Sequence, residues 1–329
     1  MSWLPDFVVD HLREALTLPD FNATRYELIG EIGRGGMGAV YLARDTELGR
    51  PVALKVLTIL DPDGQAAARM AGEARILARL EHPGIVPIHD LGTLPDGRIF
   101  YAMKMIEGSR LDAYARSAAG LQERLRIFSR ICETVAFAHS QGVIHRDLKP
   151  ENIMVGRFGE VLILDWGVAK IDWGVAKIDC VAASRAGQTE EFAPARTTPR
   201  TVTAHGTVIG TPNYMAPEQA SGAINQVDTR SDIYSLGKTL AALAASANPP
   251  KRLQAIWRKA AAADRAQRYA TALELSADIE RFQMGDPVMA YRETVLERLE
   301  RLIRRNLALV LLVTAYLLMR SALFLFARR

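Results

Sequence analysis

The chain has 329 residues, 49% hydrophobic and 24% charged, with a formal net charge of +4. That content builds a core and excludes a disordered chain, and the mild, dispersed positive balance argues against nucleic acid as a partner. The two cysteines, Cys132 and Cys180, have neither CxxC spacing nor the number for a disulfide framework, which fits a reducing compartment.

Residues 1–22 read as a short leader with one helical turn at 11–16. The opening Met-Ser-Trp-Leu-Pro-Asp has no basic stretch followed by an apolar one, so no signal peptide is expected. Residues 23–105 have the pattern of a small β-rich lobe. Runs at 26–32, 39–44 and 52–57 are β-prone and broken by glycine and by Glu47-Leu48-Gly49-Arg50, as in an antiparallel sheet of hairpins. Residues 64–80 carry helical periodicity in Ala, Arg and Leu. Two more strands are expected at 85–91 and 98–105, around a turn at Leu94-Pro95-Asp96-Gly97. After a hinge at 103–108 the chain reads as mostly helical, and the cleft between two such lobes is a favoured ligand site.

Residues 291–306 are basic, with Arg298, Arg301, Arg304 and Arg305, and 307–327 are almost wholly apolar. As a helix, 307–327 rises about 31 Å, the hydrocarbon thickness of a bilayer. Arg320 lies toward the far end and can snorkel to the interface beside Arg328 and Arg329. The upstream arginine cluster orients the expected single span with residues 1–306 in the cytoplasm, at the plasma (inner) membrane.

Three motifs carry chemistry. Gly33-Arg34-Gly35-Gly36-Met37-Gly38 lies between the first two strands. Glycines there let backbone amides approach phosphate oxygens. A dinucleotide-binding loop of the same spacing would lead into a helix. Here a strand follows, and then Val52-Ala53-Leu54-Lys55. Lys55 can hold phosphates and needs an anionic partner, for which Glu73 on the next helix is the candidate. Further on, Val143-Ile144-His145-Arg146-Asp147-Leu148-Lys149-Pro150-Glu151-Asn152 precedes Leu164-Asp165-Trp166-Gly167. In this set Asp147 can take a proton from an attacking hydroxyl, and Asn152 and Asp165 can hold a divalent metal against a triphosphate.

The central run resembles the catalytic loop of eukaryotic-type (Hanks-type) protein kinases. Residues 20–290 are similar to the bacterial, membrane-anchored serine/threonine branch of that family. The resemblance implies an α+β bilobal fold, with a β-rich N-lobe at 23–105, an α-rich C-lobe at 106–290 and an activation segment at 165–218. To these are added a basic helix at 291–306 and a transmembrane helix at 307–327. It implies ATP with Mg²⁺, or Mn²⁺, and transfer of the γ-phosphate to Ser and Thr of proteins, the kinase itself included. Asp147, Lys149, Lys55 and Glu73 would be catalytic, and Asn152 and Asp165 the metal ligands. Ile32, Gly33, Gly35, Gly38, Val40, Ala53, Lys55, Met103, Met105 and Met154 would line the nucleotide site. Within it, Val40 and Ala53 would sandwich the adenine above Met154, with Met103 at the rear. Lys149 marks the serine/threonine type, and Thr211 would contact Asp147 and Lys149. Trp166 stands where the family has Phe, keeping an aromatic to pack on Leu77 and His145. Arg146 would pair with a phosphorylated loop threonine among Thr197, Thr198, Thr201, Thr203 and Thr207. Asp232 would hold the catalytic-loop backbone, and Glu218 would pair with Arg268.

Two departures stand out. The heptapeptide at 165–171 recurs unchanged at 172–178. Only one copy can serve a metal, and the family's spacing selects Asp165 over Asp172. After Gly237 the chain also lacks a stretch that in the family includes a helix for docking substrates. These departures keep open a catalytically impaired, ATP-binding membrane scaffold beside the active kinase. A small-molecule phosphotransferase is a third reading, and Lys149 and Ala216-Pro217-Glu218 favour protein substrates over it. A homodimer through the small lobe or the membrane helix is a further expectation, and sensing would come from a partner, the membrane or the cytoplasmic side.

Overall fold

The computed structural model describes residues 18–35, 38–57, 64–116, 120–166, 170–171, 213–222, 226–244 and 249–327, without the side chains at 65, 170, 171, 300, 302, 304, 305, 307–310 and 322–327. The helical turn expected at 11–16, the second heptapeptide copy, Thr211 and the five candidate phosphothreonines lie outside the described residues.

The small lobe is a five-stranded antiparallel sheet in the order β1-β2-β3-β5-β4. Its strands are β1 (Tyr26–Arg34), β2 (Gly38–Asp45), β3 (Arg50–Leu57), β4 (Ile88–Thr93) and β5 (Ile99–Lys104), with helix α1 (Gln65–Arg79) between β3 and β4. Alternation sorts the faces. Ala39, Tyr41 and Ala43 of β2 join Val52, Leu54 and Val56 of β3 and Phe100 and Ala102 of β5 in one core. Phe21 and Tyr26 close that core with rings edge-on to Phe100 at 5.6 and 5.8 Å. Phe21 falls inside the expected leader yet is 5% exposed, so the folded lobe begins before residue 23. Strand β4 starts at Ile88 rather than 85 and runs on to Thr93. Pro87, which has no N–H to give to a ladder, separates it from Ile85, and Ile85 makes its own parallel bridge to Ile163.

The large lobe opens with β6 (Gly108–Arg110), α2 (Leu111–Arg116) and α3 (Leu121–Ser140). Short strands β7 (Val143–Ile144), β8 (Ile153–Gly156), β9 (Val161–Ile163) and β10 (Lys170–Ile171) follow. Then come α4 (Pro217–Ala220), α5 (Thr229–Leu243), α6 (Lys251–Ala260), α7 (Ala272–Met284), α8 (Val295–Arg305) and α9 (Leu307–Ala327). The buried face of α3, with Leu125, Phe128, Ile131, Cys132 and Val135, shares one core with Ile233, Leu236 and Leu240 of α5 and Leu275 and Ile279 of α7. Helix starts are capped by side chains: Asp228 accepts from Arg230 N at 2.8 Å and Thr271 from Glu274 N at 3.1 Å. The described residues hold no helix between α5 and α6. Instead the two pack directly, and a Cβ at Gly237 would lie 2.7 Å from Ala261 N.

Among the described residues no helix is long and apolar enough to cross a membrane. Helix α9 spans 21 residues, and its described side chains, 311–321, are all exposed.

Candidate active site

Pairing of β2, β3 and β5 sets the roof of the cleft. Val40 lies opposite Lys55, Lys55 opposite Tyr101, and Ala53 opposite Met103. Met105 follows β5, and Met154 sits in β8 opposite Arg110 and Leu162. Ala53 is 4% and Ile32 49% exposed. In the glycine turn, Gly35 N donates to Gly38 O at 2.8 Å. The steric demand is unequal. A Cβ at Gly38 would collide with the Val56 carbonyl of the neighbouring strand, whereas at Gly33 nothing lies within 4 Å. Gly38→Ala is therefore expected to destabilise the fold by roughly 1–3 kcal/mol through backbone overpacking. Gly33→Ala should stay within about 0.5 kcal/mol. Urea unfolding of both variants checks this, and equal losses would contradict it.

Lys55 Nζ donates to both Glu73 oxygens, at 2.9 and 3.0 Å, and to Asp165 Oδ1 at 3.1 Å. The sequence reading paired Lys55 with Glu73, and the helix delivers it. It missed Tyr101, whose hydroxyl donates to Glu73 Oε1 at 2.9 Å and whose ring lies 5.6 Å from the Lys55 ammonium. Alternation along β5 gives no sign of it, because the contact depends on the register that sets Tyr101 opposite Lys55. Burial alone would lower the Lys55 pKa; the carboxylates of Glu73 and Asp165 around it more than offset that and hold the ammonium charged. Burial pushes the other way on Asp165, yet the Lys55 ammonium, with Lys149, keeps its carboxyl below the ordinary value.

The catalytic loop hangs from Asp232, fully buried in α5. Its two oxygens accept from His145 N and Arg146 N at 2.8 Å each, and His139 Nε2 lies 2.8 Å from Oδ2. Arg146 (φ 69°) and Asp165 (φ 60°) occupy the left-handed region, a conformation that persists only where the surroundings impose it. Asp147 N donates to His145 Nδ1 at 3.2 Å, so the ring proton sits on Nε2 and is given to Leu164 O at 3.0 Å. That single imidazole joins the loop to the residue before Asp165. Its ring also meets Trp166 at 4.6 Å, and Trp166, 1% exposed, belongs to the core that holds Leu77. The indole thus packs on His145 as expected and shares a core with Leu77.

Beside this, Asp147 Oδ2 accepts from Lys149 Nζ at 2.7 Å and from Asn152 Nδ2 at 3.1 Å, and the same Nδ2 donates to Asp147 O at 2.8 Å. Gln219 Nε2 of α4 donates to Arg146 O at 2.8 Å, a further tie that the sequence did not disclose. The first heptapeptide copy reaches the loop too, with Lys170 and Ile171 pairing Ile144 and Val143.

Among the described residues no group of three or more His, Cys, Asp or Glu could hold a metal. The donor set expected from the sequence is smaller, one carboxylate, Asp165, and one amide, Asn152. Such hard oxygen ligands suit Mg²⁺, which takes one or two protein oxygens, keeps waters and is completed by substrate phosphates.

The far end of the activation segment is fixed by Glu218 and Arg268, paired at 2.7 and 2.9 Å, with Ser231 Oγ donating to Glu218 Oε1 at 2.7 Å. Burial would raise the Glu218 pKa, but the hydrogen bonds from Arg268 and Ser231 hold it at about 2, against an ordinary 4.5. The pair's contribution is complete above pH 4.5 and drains away as pH falls through 2, a loss of about 3 kcal/mol. Urea midpoints at pH 7, 4 and 2.5 test it; a midpoint flat over that range would contradict the pairing. Arg146 differs: its Nε and Nη2 are buried and lack a hydrogen-bond partner among the described residues, and burial lowers its pKa.

A family model for the protein kinase domain matches residues 26–286. The chain belongs to the protein kinase domain family. This kinase domain is 39% identical over 243 residues to the serine/threonine-protein kinase PknD of Protochlamydia amoebophila, covering 69% of this chain and 24% of that protein. It is 35% identical over 316 residues to PknD of Chlamydia trachomatis serovar D, covering 83% of this chain and 33% of that protein. The chain therefore spans about a quarter to a third of the length of these relatives. Among solved structures, the Mycobacterium tuberculosis PknI kinase domain superposes with a TM-score of 0.54 at 25% identity, covering 78% of this chain and 96% of that one.

Proposed function

We propose that this chain is a serine/threonine protein kinase that transfers the γ-phosphate of ATP to Ser and Thr hydroxyls of proteins, its own among them. One observation carries the reading. Lys55, Glu73 and Asp165 form a single charged chain across the cleft, and Asp147, Lys149 and Asn152 form another on a loop anchored to Asp232. Lys55 holds the phosphates, and Glu73, steadied by Tyr101, keeps it in place. Asp147 accepts the hydroxyl proton, and Lys149 offsets charge on the transferring phosphoryl oxygens. Asn152 and Asp165 would hold Mg²⁺, which would supply charge neutralisation at the phosphates. The scaffold reading draws on the shortened stretch after Gly237 and the duplicated heptapeptide; Lys55, Asp147, Asn152 and Asp165, all retained, speak against it.

We propose further, from the apolar sequence of 307–327, that helix α9 crosses the membrane as a single span. Its 21 residues rise about 31 Å, and the arginines before it support a topology with the catalytic lobes in the cytoplasm at the inner membrane. Pairing of two copies, through the small lobe or α9, lets one chain present its hydroxyls to the other's Asp147.

Transfer of labelled γ-phosphate by the full chain in detergent, with Mg²⁺ and a basic protein substrate, tests the activity. Label on Ser or Thr supports it. Thermal stabilisation by ATP without label favours the scaffold, and neither response rejects both.

A further inference from the structure

Helix α8 is set apart by what it exposes. It opens with a capping box, Glu297 N donating to Thr294 Oγ1 at 3.3 Å and Thr294 N to Glu297 Oε2 at 2.9 Å. It is braced to the large lobe through Glu293, whose carboxylate accepts from Arg301 of α8 at 2.9 Å and from Arg252 of α6 at 3.5 Å. Yet Val295, Leu296, Leu299 and Ile303 are 84, 78, 52 and 39% exposed. At 100° per residue these four positions fall on one face. Among the described side chains, Glu297, Arg298 and Arg301 fall opposite.

Next to the entry of α8 lies a cavity of about 800 Å³, whose lining includes Lys251, Arg258 and Lys259 of α6 and Met289 and Tyr291 of the segment leading into α8. The acids of this face are already engaged: Glu293 by Arg252 and Arg301, Glu297 by Thr294 and Tyr291 and, at longer range, by the charge of Lys251. Lys259 rides over the Tyr269 ring at 4.2 Å, and Arg258 reaches Gln254 at 3.1 Å, so neither cation is neutralised by a carboxylate in these contacts. The groove is thus net positive.

We infer that α8 and the α6 groove form a docking face for the membrane surface, with the apolar stripe of α8 in the headgroup–acyl boundary and Lys251, Arg258 and Lys259 on anionic phospholipid headgroups. This rests on the membrane placement of α9 proposed above. Only Asn306 separates α8 from α9, so the end of α8 cannot leave the bilayer surface once α9 is inserted. An exposed apolar stripe backed by arginines, and held at that depth, is the form of an interfacial helix. Because α8 is braced through Glu293 to α6, docking also fixes how the large lobe faces the bilayer.

The test uses the full chain with Cys180→Ser, since Cys132 is fully buried and escapes labelling. The chain carries a nitroxide at Leu299→Cys or at Leu317→Cys and is reconstituted in phosphatidylcholine vesicles with or without phosphatidylglycerol. The expected result is Leu317 shielded from a water-soluble nickel relaxant in both lipids, and Leu299 shielded when phosphatidylglycerol is present. Lys251→Glu with Arg258→Glu should then lower the docked-to-undocked ratio at 299 by roughly 25-fold, about fivefold per cation lost. Leu299 open to nickel in both lipids while Leu317 is shielded overturns the docking face and leaves the span standing. Leu317 open to nickel overturns both. Spin–spin broadening at 299 that vanishes on dilution with unlabelled protein assigns the stripe to a second copy instead. An unchanged ratio in the double variant removes the α6 groove from the proposal.

Discussion

Asp147→Asn is expected to lower phosphoryl transfer by roughly 10²–10⁴-fold, the range in which a positioned general base contributes. The substitution is nearly isosteric. An amide oxygen can still accept from Lys149, so the contact at 2.7 Å need not be lost, and neither Lys55 nor Glu73 is touched. What disappears is the ability to take a proton. Nucleotide binding, read as ATP-dependent thermal stabilisation, should therefore survive while initial rates collapse. A rate within tenfold of the unsubstituted protein would mean that another group accepts the proton, and the role given to Asp147 would fall.

Asp232→Ala should be the most damaging single change to the loop itself. Asp232 is fully buried, and its carboxylate serves two backbone N–H groups and His139. Removing it strands the amides of His145 and Arg146 in the core, each at about 1–3 kcal/mol, or roughly 2–6 kcal/mol together. The loss reaches chemistry as well as stability, because Arg146 is held at φ 69° one residue before Asp147. Without its anchor that backbone relaxes and carries Asp147 with it. Asp232→Asn keeps one oxygen and should fall between the two. Chemical denaturation and turnover measured on the same preparations decide the matter. A stability change under about 1 kcal/mol, or a large one with undiminished turnover per folded molecule, would contradict this account.

The strings of residues that announced the site were contiguous, and contiguity is what a sequence displays best. Asp147, Lys149 and Asn152 share one turn, so their mutual reach follows from spacing alone. Glu73, Asp232 and the Glu218–Arg268 pair were expected from the family pattern and sit where that pattern puts them. What escaped notice is carried by register. Tyr101 reaches Glu73 because β5 lies beside β3 in one alignment, and a slip of one residue would turn it to the other face. His139 of α3 meets Asp232, and Gln219 of α4 meets the catalytic loop, across separations that no local pattern encodes. The start of β4 shifted for a local reason, the proline at 87, which weighs more than the β-prone residues on either side. Phe21 was assigned to the leader because a lone aromatic after an unpatterned stretch gives no period to read; only the ring of Phe100 reveals its place. The shortened stretch after Gly237 was visible as a departure, but its remedy was not. Glycine at that position lets α5 and α6 close on each other directly.

The shared ammonium of Lys55 has a thermodynamic corollary. Its charge is divided between Glu73 and Asp165, at 2.9 and 3.1 Å. Any phosphate that claims part of it weakens its hold on Asp165 and leaves that carboxylate freer to bind a cation. A cation on Asp165 in turn releases the ammonium toward phosphate. Affinities for the two ligands must then rise together and by the same factor, since coupling between sites is reciprocal. Cooperativity between nucleotide and divalent ion is thus written into one side chain, before any change in the shape of the cleft.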